Sequence, residues 1–240
     1  MAREYWSSHE GFSEGFEVPH HGDRGEMDPS SLVPGCPGGP ILTISREAGS
    51  RGRAIGQRLG QRLSWQVYDR ELMEYLASDS VASSEIFGEL DEAQKLRVND
   101  QWAKLKLRLG ADLGEGTLSL FRVILALGVK GRVILVGRGA HWILPESHTL
   151  RVRVVGTPED RYAYLAQTLR LSPTEAQHRC RLRDQKRQDF ARQAFGFQIA
   201  DPVHYDMVLN SSRLGEEVCV QLMHETVQVK ERLGLMILRP

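Results

Sequence analysis

The sequence predicts an α/β fold, a parallel sheet covered by helices on both faces. Three observations point to it. From residue 41 onward, short β-rich runs alternate with stretches of helical periodicity. One run, RVILVG at 132–137, is almost wholly apolar, as befits a strand inside such a sheet. The first run passes through a Gly- and Arg-rich turn straight into a helical pattern, ISREAGSRGRAIG at 44–56.

The elements follow in order. ILTIS (41–45) is a short β-rich run, and RAIGQRLGQRL (53–63) continues with Ile55, Leu59 and Leu63 at helical spacing. QVY (66–68) is a second short strand that leads into a helix from about residue 70. Residues 84–110 read as polar and helical, with Ile86, Leu90, Leu96, Leu105 and Leu109 as apolar points. LSLFRVILALGVK (118–130) has the character of a largely buried helix. After RVILVG comes LRVRVVG (150–156), another strand. PEDRYAYLAQTLR (158–170) is a helix opened by Pro158 and two acids, which suit a helix N-terminus. A charged helical block covers 173–194, DMVLN (206–210) is a last strand, and GEEVCVQLMHETVQVKERL (215–233) a last helix.

Composition narrows the function classes. A chain of 240 residues, 41% hydrophobic and 26% charged, can bury a sizeable core and has an ordinary soluble balance. Lys+Arg and Asp+Glu number 31 each, and the zero net charge argues against general nucleic-acid or membrane-surface binding, which need a positive field. Cys36, Cys180 and Cys219 lie far apart without a CxxC pair, as free thiols in a reducing cytoplasm do. No apolar run approaches the ~18–20 residues of a membrane span. The expectation is a cytoplasmic protein. Residues 1–40 are heavy in Gly, Pro, Ser and His, with no hydrophobic period, and are expected to be a disordered tail before a domain at 41–240. His20 and His21 have no partner ligands at a metal-site spacing, so no metal site is expected there.

Ligands of such a sheet sit at the carboxyl ends of its strands, which directs attention to the loop after the first one. Gly49 and Gly52 let the backbone turn and bring N–H groups close to an anion, and the following helix adds partial positive charge. Ser50, Arg51 and Arg53 supply further donors. Gly56 and Gly60, one turn apart, form a smooth face for close packing on the sheet. Against the phosphate-loop pattern G-x-x-x-x-G-K-[ST], Glu47 stands for the first glycine, Arg53 for the lysine and Ala54 for the metal-binding hydroxyl. An arginine can neutralise phosphate through a bidentate fork. Loss of the hydroxyl is harder to repair.

ISREAGSRGRAIGQRLGQRL, VYDRELM (67–73), VGRGAHWIL (136–144), RVRVVGTPEDR (151–161) and DPVHYDMVLNSSRLG (201–215) together resemble the cytidylate kinase-like family, a branch of the nucleoside monophosphate kinases. The resemblance implies a P-loop kinase fold with a helical monophosphate-binding insertion at about 78–116 and an Arg-rich lid at about 172–195. It implies ATP and Mg²⁺ as cofactors, and a nucleotide-phosphate site at Gly49, Ser50, Arg51, Gly52, Arg53 and Ala54. An ungapped overlay on true cytidylate kinases puts Gly52, not Arg53, at the lysine position, so Arg51 and Arg53 remain joint candidates for its replacement. Those enzymes carry Gly-Arg-Asp after the third strand, where this chain has Gly137-Arg138-Gly139; Arg138 matches and the aspartate does not. Tyr68, Asp69, Arg70, Arg138 and Arg183 are the implied acceptor-binding residues, with helix capping as the other reading of Asp69.

The block at 172–196 carries Arg179, Arg181, Arg183, Arg187 and Arg192, and Asp184-x-x-Arg187-x-x-Phe190-x-Arg192 follows the family's lid pattern. Phosphoryl transfer needs cations around the moving phosphoryl group, so the implied catalytic set is Arg53, Asp184, Arg187 and Arg192. The expected activity is transfer of the ATP γ-phosphate to a nucleoside monophosphate, CMP or dCMP first. A nucleotide-binding regulator with the same fold and no catalysis is the alternative. Nucleotides are the expected partners, and neither nucleic acid nor membrane is.

Overall fold

Five parallel strands form the sheet in the order β2 (Gln66–Tyr68), β3 (Val133–Val136), β1 (Ile41–Arg46), β4 (Thr149–Val155), β5 (Met207–Asn210). The computed structural model describes residues 39–109 and 113–232, so the tail expected over 1–40 lies, except for Gly39 and Pro40, outside the described residues. β1 is central because both its neighbours are long-range partners: Ile44 pairs with Val136 of β3 and with Val152 of β4. Parallel pairing forces every connection to cross back over a face, which places the helices on both sides.

Side-chain alternation divides the core. Leu42, Ile44, Ile134, Val136, Leu150, Val152 and Val154 point to one face, where they meet α1 (Gly52–Leu63) and α9 (Ser211–Arg232). Ile41, Val133 and Leu135 point to the other, against α5 (Glu115–Lys130). Nine residues of α5 are buried, from Leu120 to Val129, in agreement with the apolar run read from the sequence. On that second face the strand ends turn polar: Thr43, Ser45 and Arg153 are buried there and prepare a floor for charged groups.

The remaining helices frame the carboxyl edge. α2 (Arg70–Ser78) is followed by α3 (Ser80–Gly88) and α4 (Glu92–Lys106), and Ile86, Leu90, Val98 and Leu105 bury against the α5 core. Here the sequence predicts one polar helix over 84–110, and the chain forms two. Asp91 breaks the run because its carboxylate accepts from the Gln94 N–H while Gln94 returns the bond, a capping box that starts a new helix. A short α6 (Ala140–Ile143), not foreseen, follows β3. α7 (Pro158–Leu169) opens with Pro158, and α8 (Pro173–Phe195) opens with a Ser172–Glu175 capping box and closes at Gly196 in the left-handed conformation. Among the described residues no helix is long and apolar enough to cross a membrane.

The glycine face of α1 is real packing. A Cβ on Gly56 would sit 3.1 Å from Val136 and 3.2 Å from Ile44, both flexible side chains. A Cβ on Gly60 would sit 2.9 Å from the Trp65 carbonyl oxygen, which is backbone and cannot yield. Alanine for glycine inside a helix ordinarily stabilises by about 0.5–1 kcal/mol. Gly60→Ala is expected to reverse that sign and destabilise by about 1–3 kcal/mol through overpacking, with Gly56→Ala costing less. Urea unfolding midpoints of both variants check this, and a stabilised Gly60→Ala would refute the close-packing account.

Candidate active site

The loop between β1 and α1 is shaped by residues that only fit one way. Gly49 has φ 80°, and the Arg161 backbone occupies the space any side chain there would need. Arg51, the N-cap of α1, sits in the left-handed region at φ 59° and lends no side-chain cap. Among the described residues the first N–H groups of α1 meet no side-chain cap. Gly52, Arg53 and Ala54, which carry them, line a cavity of about 560 Å³. Uncapped helix N–H groups and the helix dipole make a ready anion site. The Ser50 hydroxyl turns inward, 2.9 Å from the Glu47 carbonyl oxygen and 3.0 Å from that of Val154, so it supports the loop from behind.

The two arginines singled out as lysine substitutes are both engaged. Arg51 forks onto Asp160 of α7, with Nη2 2.8 Å from Oδ1, and stacks 4.7 Å over the Tyr164 ring. Arg53 reaches the other way, 2.6 Å to Asp69, and is more than half exposed. Asp69 also caps α2 by accepting from the Leu72 N–H at 3.0 Å. Neither Asp69 nor Tyr68, whose ring packs into the α5 core, lines the cavity. A third arginine does, and the sequence reading passed over it. Arg46, the last residue of β1, lines the cavity, and burial together with the nearby Arg187 lowers its pKa to about 9. Its position at the carboxyl end of the central strand was the available signal.

Across the cavity, β3 ends in a turn with three successive positive φ angles, 98° at Gly137, 53° at Arg138 and 68° at Gly139. A left-handed arginine costs about 1–2 kcal/mol, which the turn tolerates in order to aim that side chain at the cavity. The Arg138 guanidinium pairs with Glu74, lies 5.9 Å over the Phe190 ring, and keeps a buried Nε without a partner. Burial, reinforced by Arg70, pushes its pKa down. Arg70, at the start of α2, pairs with Glu71 at 3.0 Å and also lines the cavity. Gly139 takes the place of the family's aspartate, and a Cβ there would sit 2.6 Å from Phe195. That position is thus closed by an aromatic ring, itself stacked 5.4 Å from Phe121.

α8 contributes from above. Arg183, Lys186 and Arg187 line the cavity; Arg192 is exposed and does not. Asp184 stitches the helix to the loop. Its carboxylate accepts from the Ala48 N–H at 2.7 Å, from Arg187 at 2.8 Å, and from Arg161. Arg161 in turn donates to the Ala48 carbonyl oxygen at 2.8 Å and pairs with Glu47 at 2.9 Å. At the floor, Arg153 and the Tyr205 hydroxyl both reach Ser45 Oγ at 3.1 Å.

The donor set does not fit a protein-held Mg²⁺. Ala54 has no hydroxyl, the Ser50 hydroxyl faces the loop backbone, and Glu47 is committed to Arg161 and to the Gly156 N–H. Among the described residues no group of three His, Cys, Asp or Glu side chains could hold a metal ion.

The Arg51–Asp160 pair gives the loop a pH dependence. Hydrogen bonds from Arg51 and from Ser212, at 2.6 Å, hold the Asp160 carboxyl below its ordinary 3.8, at about 2. A depressed acid stabilises the fold fully above its unfolded pKa and loses that contribution as pH falls through the folded one. Wild type is therefore expected to exceed Asp160→Asn in stability above pH 3.8, the difference vanishing as pH falls through about 2. Denaturant titrations of both proteins across that range check it; a difference independent of pH would mean the pair contributes no charge-dependent stability.

The model of the cytidylate kinase-like family matches residues 41–213, most of the chain. Among solved structures, an uncharacterized protein from Eubacterium ventriosum ATCC 27560 is similar with a TM-score of 0.60 at 16% identity, covering 79% of this chain and 98% of that one. That likeness bears on the fold alone. Shikimate kinase from Bacteroides thetaiotaomicron (TM-score 0.43, 13% identity, 79% and 98% covered) and TT1252 from Thermus thermophilus (TM-score 0.44, 15% identity, 80% and 97% covered) are more distant. No curated protein matches the chain significantly. With its parallel five-stranded sheet, its loop opening α1 and that family match, the chain has the P-loop kinase fold and belongs to the cytidylate kinase-like family.

Proposed function

We propose that the protein transfers the γ-phosphoryl group of ATP to a nucleoside monophosphate, with CMP or dCMP as the first acceptors to examine. One observation carries the reading. The uncapped N-terminus of α1 and the cations Arg46, Arg70, Arg138, Arg183, Lys186 and Arg187 open onto a single cavity, which suits two phosphate-bearing ligands meeting there.

In this reading the N–H groups of Gly52, Arg53 and Ala54 hold the ATP phosphates, and Arg138 with Arg70 holds the acceptor phosphate. The acceptor oxygen bonds to the γ-phosphorus as the bond to the β–γ bridging oxygen breaks, and ADP leaves with the electron pair. The acceptor is already an anion, so no strong general base is needed. Charge spreading over the phosphoryl oxygens is met by Arg187 and Arg183 of α8, which acts as the lid over 172–195. Asp184 serves by anchoring that helix to the loop, and Arg192, off the cavity, takes no part in the step. Arg53 is the more easily recruited of the two loop arginines, since its ion pairs with Asp69 and Glu71 are solvent-exposed on its own side. The segment at about 78–116, which includes α3 and α4, forms the monophosphate-side insertion. The absent loop lysine and hydroxyl favour a second reading, a nucleotide-binding regulator without turnover.

ADP release from ATP and Mg²⁺ with CMP, dCMP, UMP, AMP and GMP separates the two. A blank with every acceptor, while ATP still binds, leaves the regulator. Arg138→Ala is expected to raise the monophosphate KM about tenfold or more, as loss of a charge-assisted contact does, with little effect on that of ATP. Equal effects on both substrates would make Arg138 structural. Arg187→Ala is expected to lower kcat about 10²–10³-fold with ATP binding nearly unchanged, and Arg187→Lys to recover part of the loss. A parallel loss of ATP affinity would move Arg187 from the transition state to the ground state.

A further inference from the structure

We propose that Arg46 takes the part of the missing loop lysine: its guanidinium holds the γ-phosphoryl group as it passes from ATP to the acceptor. The inference rests on the phosphotransfer reading above and is carried by how this side chain is threaded. Its stem crosses α1 at Gly52, where a Cβ would lie 2.7 Å from Arg46 Cβ and 3.0 Å from its Cγ. Its tip reaches the opposite wall, where a Cβ on Gly137 would collide with the guanidinium. One side chain therefore spans from the donor loop to the turn that carries Arg138. Gly52 occupies the lysine position in the ungapped overlay, and its empty side is the room Arg46 uses.

The charge pattern separates Arg46 from most of the arginines around it, and from Arg183 by burial, since Arg183 is exposed on α8. Arg51, Arg53, Arg70, Arg138 and Arg187 each hold an acidic partner, namely Asp160, Asp69, Glu71, Glu74 and Asp184. Arg46 makes no ion pair among the described residues, and Glu71 acts on it only from a distance. Arg46 is half-buried, lining the cavity without a carboxylate to neutralise it, and a cation so placed favours an incoming anion. Its pKa of about 9 leaves it protonated at neutral pH. In the transfer Arg46 stays protonated throughout and donates N–H groups to non-bridging oxygens of the phosphoryl group. The electron pair of the broken bond goes to ADP, and the new bond forms from the acceptor phosphate oxygen.

Arg46→Met keeps the stem and removes the charge; Arg46→Lys keeps the charge and removes the fork. Three quantities are measured: kcat, the Kd of ADP, and the Kd of an analogue joining adenosine and cytidine through five phosphates. Arg46→Met is expected to bind ADP within about threefold of wild type, to bind the bridged analogue at least tenfold more weakly, and to lose about 10²–10³ in kcat. Arg46→Lys should recover part of both losses. Wild-type kcat and analogue affinity in Arg46→Met would overturn the proposal, and so would an equal loss of ADP and analogue binding, which marks a structural residue. If wild type turns over no acceptor, the phosphotransfer reading fails by itself; a selective loss of analogue affinity in Arg46→Met would then still establish the phosphate contact.

Discussion

A buried guanidinium ties the loop between β1 and α1 to the elements around it. Arg161 projects from α7 beneath the loop and is only 9% exposed. It donates to the Ala48 carbonyl oxygen, pairs with Glu47 on the loop, and pairs with Asp184 on α8. Three elements distant in sequence are thus held by one planar fork, whose geometry suits two carboxylates and a carbonyl at once. Truncating one member of such a network leaves the other charges unpaired. Gly49 belongs to the same constraint, because the Arg161 backbone fills the side-chain space above it.

The cavity that results is lined with cations, which the protein itself partly neutralises. Five of its arginines, Arg51, Arg53, Arg70, Arg138 and Arg187, are paired with Asp160, Asp69, Glu71, Glu74 and Asp184, so much of the positive charge is compensated without a ligand. A solvent-exposed pair such as Arg70–Glu71 contributes about 0–1 kcal/mol. The Asp184 link to the Ala48 N–H is different in kind, since it occupies a loop donor with a carboxylate that α8 supplies. Position of the helix and availability of that donor are therefore coupled.

Much of the fold was legible because its signals are local. The apolar run at 132–137, the β-rich run ILTIS and the largely apolar helical stretch 118–130 correspond to β3, β1 and α5. The Gly56 and Gly60 face was readable from spacing, and the structure places it against Ile44, Val136 and the Trp65 carbonyl oxygen. Where local signals compete, the reading blurred. The break between α3 and α4 depends on a reciprocal Asp91–Gln94 hydrogen bond inside a uniformly polar stretch, and four residues of α6 are too few for any period to show.

The sequence by itself determined the class of fold and the family, because strands alternating with helices and motifs in a fixed order are local signals, and it directed attention to the glycine-rich turn that opens α1. Only the tertiary structure decided which of the loop cations is left without a carboxylate partner, since Arg46, Arg51 and Arg53 all line the cavity. Arg51 and Arg53 were as good as Arg46 in a linear reading, since charge and proximity to the loop are the same for all three. Asp160, 109 residues along from Arg51, and Asp69, much nearer in sequence to Arg53, pair with the first two. Gly52 and Gly137, on different elements, open the path for the third. Side-chain direction is set by partners brought together through folding, and nothing in the order of residues along the loop encodes it.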